Sequence, residues 1–289
     1  MTVTIIRTID ELRRRLDQAR RGSQTVGFVP TMGYLHDGHG SLMRAAAADT
    51  DTVVASVFVN PLQFAPTEDL TTYPRDLERD VAVAGANGVE LVFAPADDEM
   101  YPEGRVLTTV DVGGVSARLE GESRPSHFAG VATVVSKLLN IVGPCRAYFG
   151  EKDFQQLAVI RRLVFDLSIP AEIVGCPIVR EPDGLAMSSR NVRLDPDDRA
   201  AAVVLSRALA AGADAIGAGA TDPASVAATM AGVVAGEPRA RLDYAAVADP
   251  ATLETPSEIR SDVRLLIAAR LGPVRLIDNR GVTVTPPSP

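Results

Sequence analysis

Apolar positions in the first 180 residues alternate between two spacings, one of strand type and one of helix type. Ile9, Leu12 and Leu16 mark one face of a helix over 8–21, with Asp10 as its expected cap and Gly22 as its stop. Val26, Phe28 and Val29 form a short strand-like run closed by Pro30. Gly33 and Gly38 then punctuate a turn, and helical spacing resumes over 41–48. D-T-V-V-A-S-V-F-V-N-P is unbroken and apolar, as a strand buried on both faces must be. The same reading predicts helices at 75–86, 127–142 and 154–167, and strands at 89–93, 146–149, 171–174 and 178–179. Residues 94–126 are irregular, with a hairpin expected near 106–112. Strands alternating with helices predict an α/β fold, a doubly wound parallel sheet of Rossmann-like type. Such sheets bind ligands beyond the carboxyl ends of their strands, near the point where strand order reverses.

From about residue 180 the pattern changes. Two alanine-rich helices, 196–217 and 222–235, precede three short runs at 242–248, 264–268 and 274–278 that read as a small sheet. The expectation is a first domain over 1–179 and a smaller α+β domain over 180–289, hinged near E-P-D-G and ending in a frayed T-P-P-S-P tail.

Composition narrows the function. A net charge of −8 argues against general nucleic-acid binding, which needs a basic surface. Two cysteines (Cys145, Cys176) and three histidines are too few for a disulfide framework or a structural zinc site. The N-terminus lacks a basic segment followed by an apolar one, and the alanine-rich run at 200–220 is interrupted by Arg207 and Asp214, so no membrane segment and a cytoplasmic location are expected. The 29 basic residues are all arginine except Lys137 and Lys152. Lys152 stands in G-E-K-D just after a predicted strand, where a compact, mobile cation suits a phosphate.

The candidate chemistry starts at the 25–44 stretch. A strand that delivers a glycine-bearing turn into a helix is a common phosphate cradle, because the first helical amides and the dipole face the anion. His36 and His39 sit there with Gly38 between them, and two imidazoles can donate to oxygens of one phosphate. Neither G-x-x-x-x-G-K-[ST] nor G-x-G-x-x-G occurs, so the histidine turn is the phosphate site to test. D-G-L-A-M-S-S-R-N at 183–191 offers two hydroxyls and a guanidinium, suited to a leaving pyrophosphate. The stretches at 30–39, 60–63 and 150–153 each follow a predicted strand and can converge on one crevice. The proline-bearing 64–76 segment reads either as a mobile wall over that crevice, ordering on substrate, or as a connector.

H-D-G-H resembles the H-x-G-H signature of nucleotidyl transferases, and P-T-M-G-Y-L-H-D-G-H resembles the pantothenate synthetase (pantoate–β-alanine ligase) family in particular. F-V-N-P-L-Q-F, Y-P-R, R-P-S-H-F-A-G-V, F-G-E-K-D-F-Q-Q-L, V-R-E-P-D-G-L-A-M-S-S-R-N and L-D-N extend the resemblance in order over nearly the whole chain. It implies attack of pantoate on the α-phosphate of Mg-ATP, then displacement of AMP by β-alanine. It also implies roles. His36, His39 and Lys152 become catalytic, with His36 the acid/base candidate. Met32, Gly33, Tyr34, Leu35, His36, Asp37, Gly38, His39, Gly150, Glu151, Lys152, Asp153, Val179 and Met187 line ATP, and Ser188, Ser189 and Arg190 take the pyrophosphate. Gln63 and Gln156 bind pantoate, and Asp80 is a possible Mg2+ contact. A homodimer is implied as well. Two departures stand out: Gly40 where the family usually has leucine, expected to weaken the helix's opening turn, and Asp76 where threonine is common. Two other readings fit the histidine turn alone, namely a transferase moving AMP or CMP to a phosphorylated acceptor, and a non-catalytic nucleotide sensor.

Overall fold

The computed structural model describes residues 3–64, 70, 73–104 and 106–284, which form two compact units. The first comprises 1–151 and 155–177, the second 152–154 and 178–289. The first unit runs β1 (Thr4–Ile6), α1 (Ile9–Arg21), β2 (Val26–Thr31), α2 (Asp37–Asp49), β3 (Thr52–Val57), α3 (Leu77–Ala86), β4 (Leu91–Phe93), α4 (Asp97–Met100), α5 (Glu120–Ser123), α6 (His127–Val142), β5 (Cys145–Gly150), α7 (Phe154–Asp166) and β6 (Ala171–Cys176). The six strands make one parallel sheet in the order β1-β4-β3-β2-β5-β6. Chain order runs outward one way from β2 through β3 to β4, then returns to place β5 on the other side of β2. The strand order therefore reverses between β2 and β5, whose carboxyl ends flank the crevice that such sheets use for ligands.

Local differences from the sequence reading have physical causes. Thr8, not Asp10, caps α1, its hydroxyl accepting from the Glu11 amide. β2 continues through Pro30 to Thr31. The Thr31 carbonyl accepts from the Phe58 amide, so the Pro30 nitrogen faces the β5 side, where pairing ends at Phe28. No ladder bond is lost there, and the proline is tolerated. The hairpin expected near 106–112 is absent among the described residues; the Val110 amide donates to the Thr133 hydroxyl of α6 instead of to a strand. Most of the 64–76 segment lies outside the described residues.

Phe28, Phe93, Met43 and Tyr148 are fully buried within this unit, each worth roughly 1.5–3 kcal/mol of apolar burial if counted as a large side chain. α6 is buried along most of its length, and Gly130 in its second turn lies against the 3-10 turn at Pro61–Gln63. A Cβ at Gly130 would stand 2.3 Å from the Leu62 carbonyl oxygen. Only glycine permits that approach.

The second unit contains α8 (Pro196–Ala201), α9 (Val204–Gly217), α10 (Pro223–Ala235), β7 (Ala240–Ala248), β8 (Val263–Leu271) and β9 (Val274–Val282). β7-β8-β9 is an antiparallel sheet, and its strands are longer than the apolar runs predict. Leu205, Leu209, Val226, Met230, Leu265 and Ile267 are buried together as its core. By length and composition Pro196–Gly217 could cross a membrane, but the apolar face of α9 belongs to this core. The 178–179 run makes no strand. It enters a hairpin-like turn in which the Met187 amide donates to the Val179 carbonyl, and E-P-D-G is closed by the Glu181 amide donating to the Leu185 carbonyl.

Candidate active site

α2 begins at Asp37, ahead of the first residue with clear helical spacing, and its N-cap is His36. The Gly38 amide donates to His36 Nδ1 at 3.1 Å, and the His36 amide donates to His39 Nδ1 at 3.3 Å. The two histidines thus form a reciprocal capping box, a place usually held by a hydroxyl and a carboxamide or carboxylate. Their ring centroids lie 4.1 Å apart with planes at 45°. A neutral imidazole that accepts at Nδ1 carries its proton on Nε2. The pair is therefore set as two Nε2–H donors on one helix end.

The turn before the cap is unusual. Gly33 and Tyr34 both have positive φ, +82° and +52°. The turn they make aims the successive Tyr34 and Leu35 amides at one point, an anion-binding nest. Here the anion is Asp80 of α3. Its Oδ2 accepts from the Tyr34 amide at 2.9 Å and its Oδ1 from the Leu35 amide at 2.7 Å, and the residue is 1% exposed. A Cβ at Gly33 would approach Asp80 Oδ2 to 2.7 Å, so glycine is required on both counts.

These bonds bear on two expectations. Asp80, expected as a magnesium contact, accepts one backbone amide at each oxygen and so holds the turn, with a lone pair left on each. The amides of Gly33, Tyr34, Leu35, His36 and Gly38 all have acceptors within the protein, so the turn's main chain is not an open phosphate cradle at those positions. Leu35 is fully buried, and Tyr34 carries the Arg79 guanidinium over its ring at 4.9 Å. No group of three histidine, cysteine or acidic side chains able to hold a metal occurs among the described residues. A magnesium ion arriving with a nucleotide would take its ligands chiefly from phosphate oxygens and water and would be part of the substrate.

Beyond β3, Asn60 caps the 3-10 turn that carries Gln63. Asn60 is 1% exposed and fully engaged. Its Oδ1 accepts from the Tyr101 hydroxyl at 2.8 Å and the Leu62 amide, while its Nδ2 donates to the Gly130 carbonyl and to Gln63 Oε1 at 3.2 Å. Burial pushes the Tyr101 phenol well above its usual pKa, which keeps it a proton donor to Asn60. Gln63 Nε2 then points to Met32 Sδ at 2.8 Å. The Gln63 carbonyl also lies 3.1 Å from His127 Nδ1. Met32, Gln63, His36 and His39 are all partly exposed, whereas Asn60, which holds Gln63, is buried.

In Q-Q, Gln155 is the inward residue, clamping the main chain at Val115, Arg118 and Glu120, and Gln156 is half-exposed. Gly150 ends β5, and a Cβ there would meet nothing within 4 Å. Glu151 opens the 3-10 turn Glu151–Asp153 that follows.

The remaining predicted residues belong to the second unit. Lys152, with a side chain 16% exposed, lies 3.7 Å from the Asp153 carboxylate. Val179 and Met187 are joined across the hairpin-like turn. Ser188 caps the 3-10 turn Ser189–Arg193, its hydroxyl accepting from the Arg190 amide at 3.2 Å. Cysteine chemistry is ruled out by environment: burial pushes Cys145 up to about 12 and raises Cys176 as well, so neither offers a thiolate near neutral pH.

The pantoate–β-alanine ligase family model matches residues 4–281. The chain belongs to that family. A pantothenate synthetase of Roseiflexus sp. (strain RS-1) is 55% identical over 276 residues, covering 95% of this chain and 98% of that one. The pantothenate synthetase crystal structure from Thermus thermophilus superposes with a TM-score of 0.91 at 50% identity, covering 96% and 99% of the two chains. The pantoate–β-alanine ligase of Francisella tularensis, solved with βγ-ATP and β-alanine, gives a TM-score of 0.79 at 34% identity over 96% and 97%. The protein is accordingly a ligase that joins pantoate to β-alanine.

Both departures from the pantoate–β-alanine ligase pattern have structural settings. Gly40 is buried, and a Cβ there would come within 3.0 Å of Asn87 Oδ1 and 3.1 Å of Arg44 Nη1, two groups hydrogen-bonded to each other. The glycine makes room for that pair. Asp76 caps α3, accepting from the Arg79 amide at 3.1 Å, a task threonine also performs. Asn60, Tyr101 and Gln155 escaped the sequence reading of this ligase. N-P-L-Q-F drew attention to Gln63, but nothing local marks Tyr101 as the partner of Asn60 forty-one positions away.

Proposed function

We propose that this chain makes pantothenate through a pantoyl adenylate, with ATP as the activating substrate. A pantoate carboxylate oxygen bonds to the α-phosphorus of ATP, and the bond to the β-phosphate oxygen breaks to release pyrophosphate. The β-alanine amine then attacks the acyl carbon and loses a proton. The carbon–oxygen bond breaks, and AMP leaves with one former carboxylate oxygen. Adenylation replaces a very poor leaving group by a good one.

The observation that carries this reading is the reciprocal histidine cap. Two Nε2–H donors, fixed through Nδ1 and placed after the central strand at the reversal point, suit the charge that gathers on phosphoryl oxygens during displacement. Because their orientation is set before substrate arrives, they favour the transition state over the ground state. His36 is the acid/base candidate of the pair. Lys152 supplies an ammonium to the phosphoryl oxygens, and Ser188, Ser189 and Arg190 receive the pyrophosphate. Met32, Gly150, Glu151, Asp153, Val179 and Met187 line the nucleotide, Gly150 offering open space beside its backbone. Gln63, held by Asn60, and the half-exposed Gln156 pair with the hydroxyls and carboxylate of pantoate. The first unit would then carry the histidine cap and the pantoate glutamines, and the second Lys152 and the serine–arginine segment. A homodimer in the cytoplasm completes the reading, and a solution mass of one chain rather than two would remove the dimer.

The deciding experiment uses pantoate labelled with oxygen-18 in its carboxylate. AMP should acquire one labelled oxygen per turnover. Label confined to pantothenate and water would exclude the adenylate.

A further inference from the structure

Lys152 carries a mobile side chain on a short 3-10 turn, and such a turn has few bonds of its own with which to hold a direction. Its anchor comes from β9. Asn279 is 2% exposed, and its Nδ2 donates to the Lys152 carbonyl at 2.7 Å across 127 positions of sequence. Its Oδ1 accepts from Arg264 Nε at 2.7 Å. An arginine can only donate and a carbonyl can only accept, so the amide has one possible orientation. The Arg264 guanidinium in turn lies 4.1 Å over the Phe154 ring, two residues after Lys152. The chain around Lys152 is thus held from both sides by one strand pair. The neighbouring residue serves the other phosphate segment. Asp278, 3% exposed at its side chain, pairs with Arg180 at 2.7 and 3.0 Å. Arg180 also donates to the Gly184 carbonyl, closing the turn that leads to Met187–Arg190.

We propose that Asn279 is a positioning residue for Lys152, acting through the Lys152 carbonyl with Arg264 as its backstop. The proposal rests on the reading of Lys152 given above, and its test separates the two. Asn279→Asp keeps the acceptor for Arg264 but sets a charged oxygen against the Lys152 carbonyl. Uncharged Asn279→Leu, which removes the donor without adding charge, must therefore move Lys152 acylation and turnover in the same way. Lysine acylation followed by peptide mass spectrometry suits this chain, because Lys137 and Lys152 are its only lysines and Lys137, on α6, is an internal control.

In Asn279→Asp the acylation rate of Lys152 should change by about threefold or more while that of Lys137 stays put, as expected when a local anchor is released. Adenylate formation should fall ~10-fold in kcat with the KM for pantoate unchanged, the cost of a catalytic group held loosely. Combined with Lys152→Ala, the same substitution should add no further loss. An unchanged Lys152 acylation rate, or losses that multiply in the double variant, would overturn the proposal. Normal turnover in Lys152→Ala alone would remove the catalytic role of the lysine but leave the positioning effect measurable by acylation. Should Asn279→Asp fail to fold, Arg264→Met loosens the same amide from its other side and should move Lys152 acylation in the same direction.

Discussion

The two units fix their candidate phosphate groups in opposite ways. In the first, His36 and His39 hold each other across three residues, and a buried carboxylate holds the turn behind them. In the second, Lys152 and the 187–190 segment are mounted on Asp278 and Asn279, about a hundred positions away in sequence. A parallel sheet with helical caps offers backbone ends as mounts, whereas an antiparallel sheet offers buried side chains along its strands. Similar chemistry therefore reaches these groups by short-range order in one unit and long-range order in the other.

The sharpest way to break the comparison is to remove one donor from each unit. His36→Ala and Lys152→Ala should each lower adenylate formation ~10²–10³-fold, the usual effect of losing a preorganised donor, with the fold intact in both and about 1 kcal/mol of stability lost in His36→Ala as the α2 cap goes. Near-normal rates for either would take that unit out of the chemistry. Next in size is Gly130→Ala, where a methyl meets the Leu62 carbonyl at 2.3 Å. It should cost about 3 kcal/mol in denaturant unfolding, an overpacking penalty. A loss under about 0.5 kcal/mol would mean that the turn carrying Gln63 can move aside.

Asp80→Asn turns one acceptor into a donor against a backbone amide and should cost about 1–3 kcal/mol. Added magnesium should not alter that loss if the carboxylate only anchors the turn.

The smallest effect concerns acid. In the first unit the Thr25 hydroxyl and amide hold Asp51 below its usual 3.8; in the second, the Arg199 hydrogen bond does the same for Asp183. A folded-state pKa below the unfolded one gives stability that is present above 3.8 and is lost as pH falls through the lowered value. Arg199→Met should flatten the acid side of the melting profile slightly and leave neutral pH almost unchanged. Both carboxylates are well exposed, so high salt should shrink the difference.

Legibility from sequence follows the same division. The order of strands and helices in the first unit could be read because each depends on spacing within about ten residues. The start of α2 could not, since histidine is a rare N-cap and Gly38 and Gly40 mask the helix's first turn. The 106–112 stretch looks like a strand, yet its bonding goes to Thr133. Lys152 stood out by its rarity in an arginine-rich chain, while Asn279 was one letter in L-D-N with no local reason to be singled out. Asp80 drew a metal role from the family resemblance alone; only the bonds from the Tyr34 and Leu35 amides, brought together by positive φ at Gly33 and Tyr34, reveal what it holds.

The carboxylate in that nest also limits how the histidine segment can be borrowed. Cut out as a peptide, or grafted onto another sheet, residues 25–44 would lack the acid that α3 brings in from forty-five positions downstream. Any transplant must carry α3 with it, and during synthesis the histidines cannot take up their final pose until that later helix has docked.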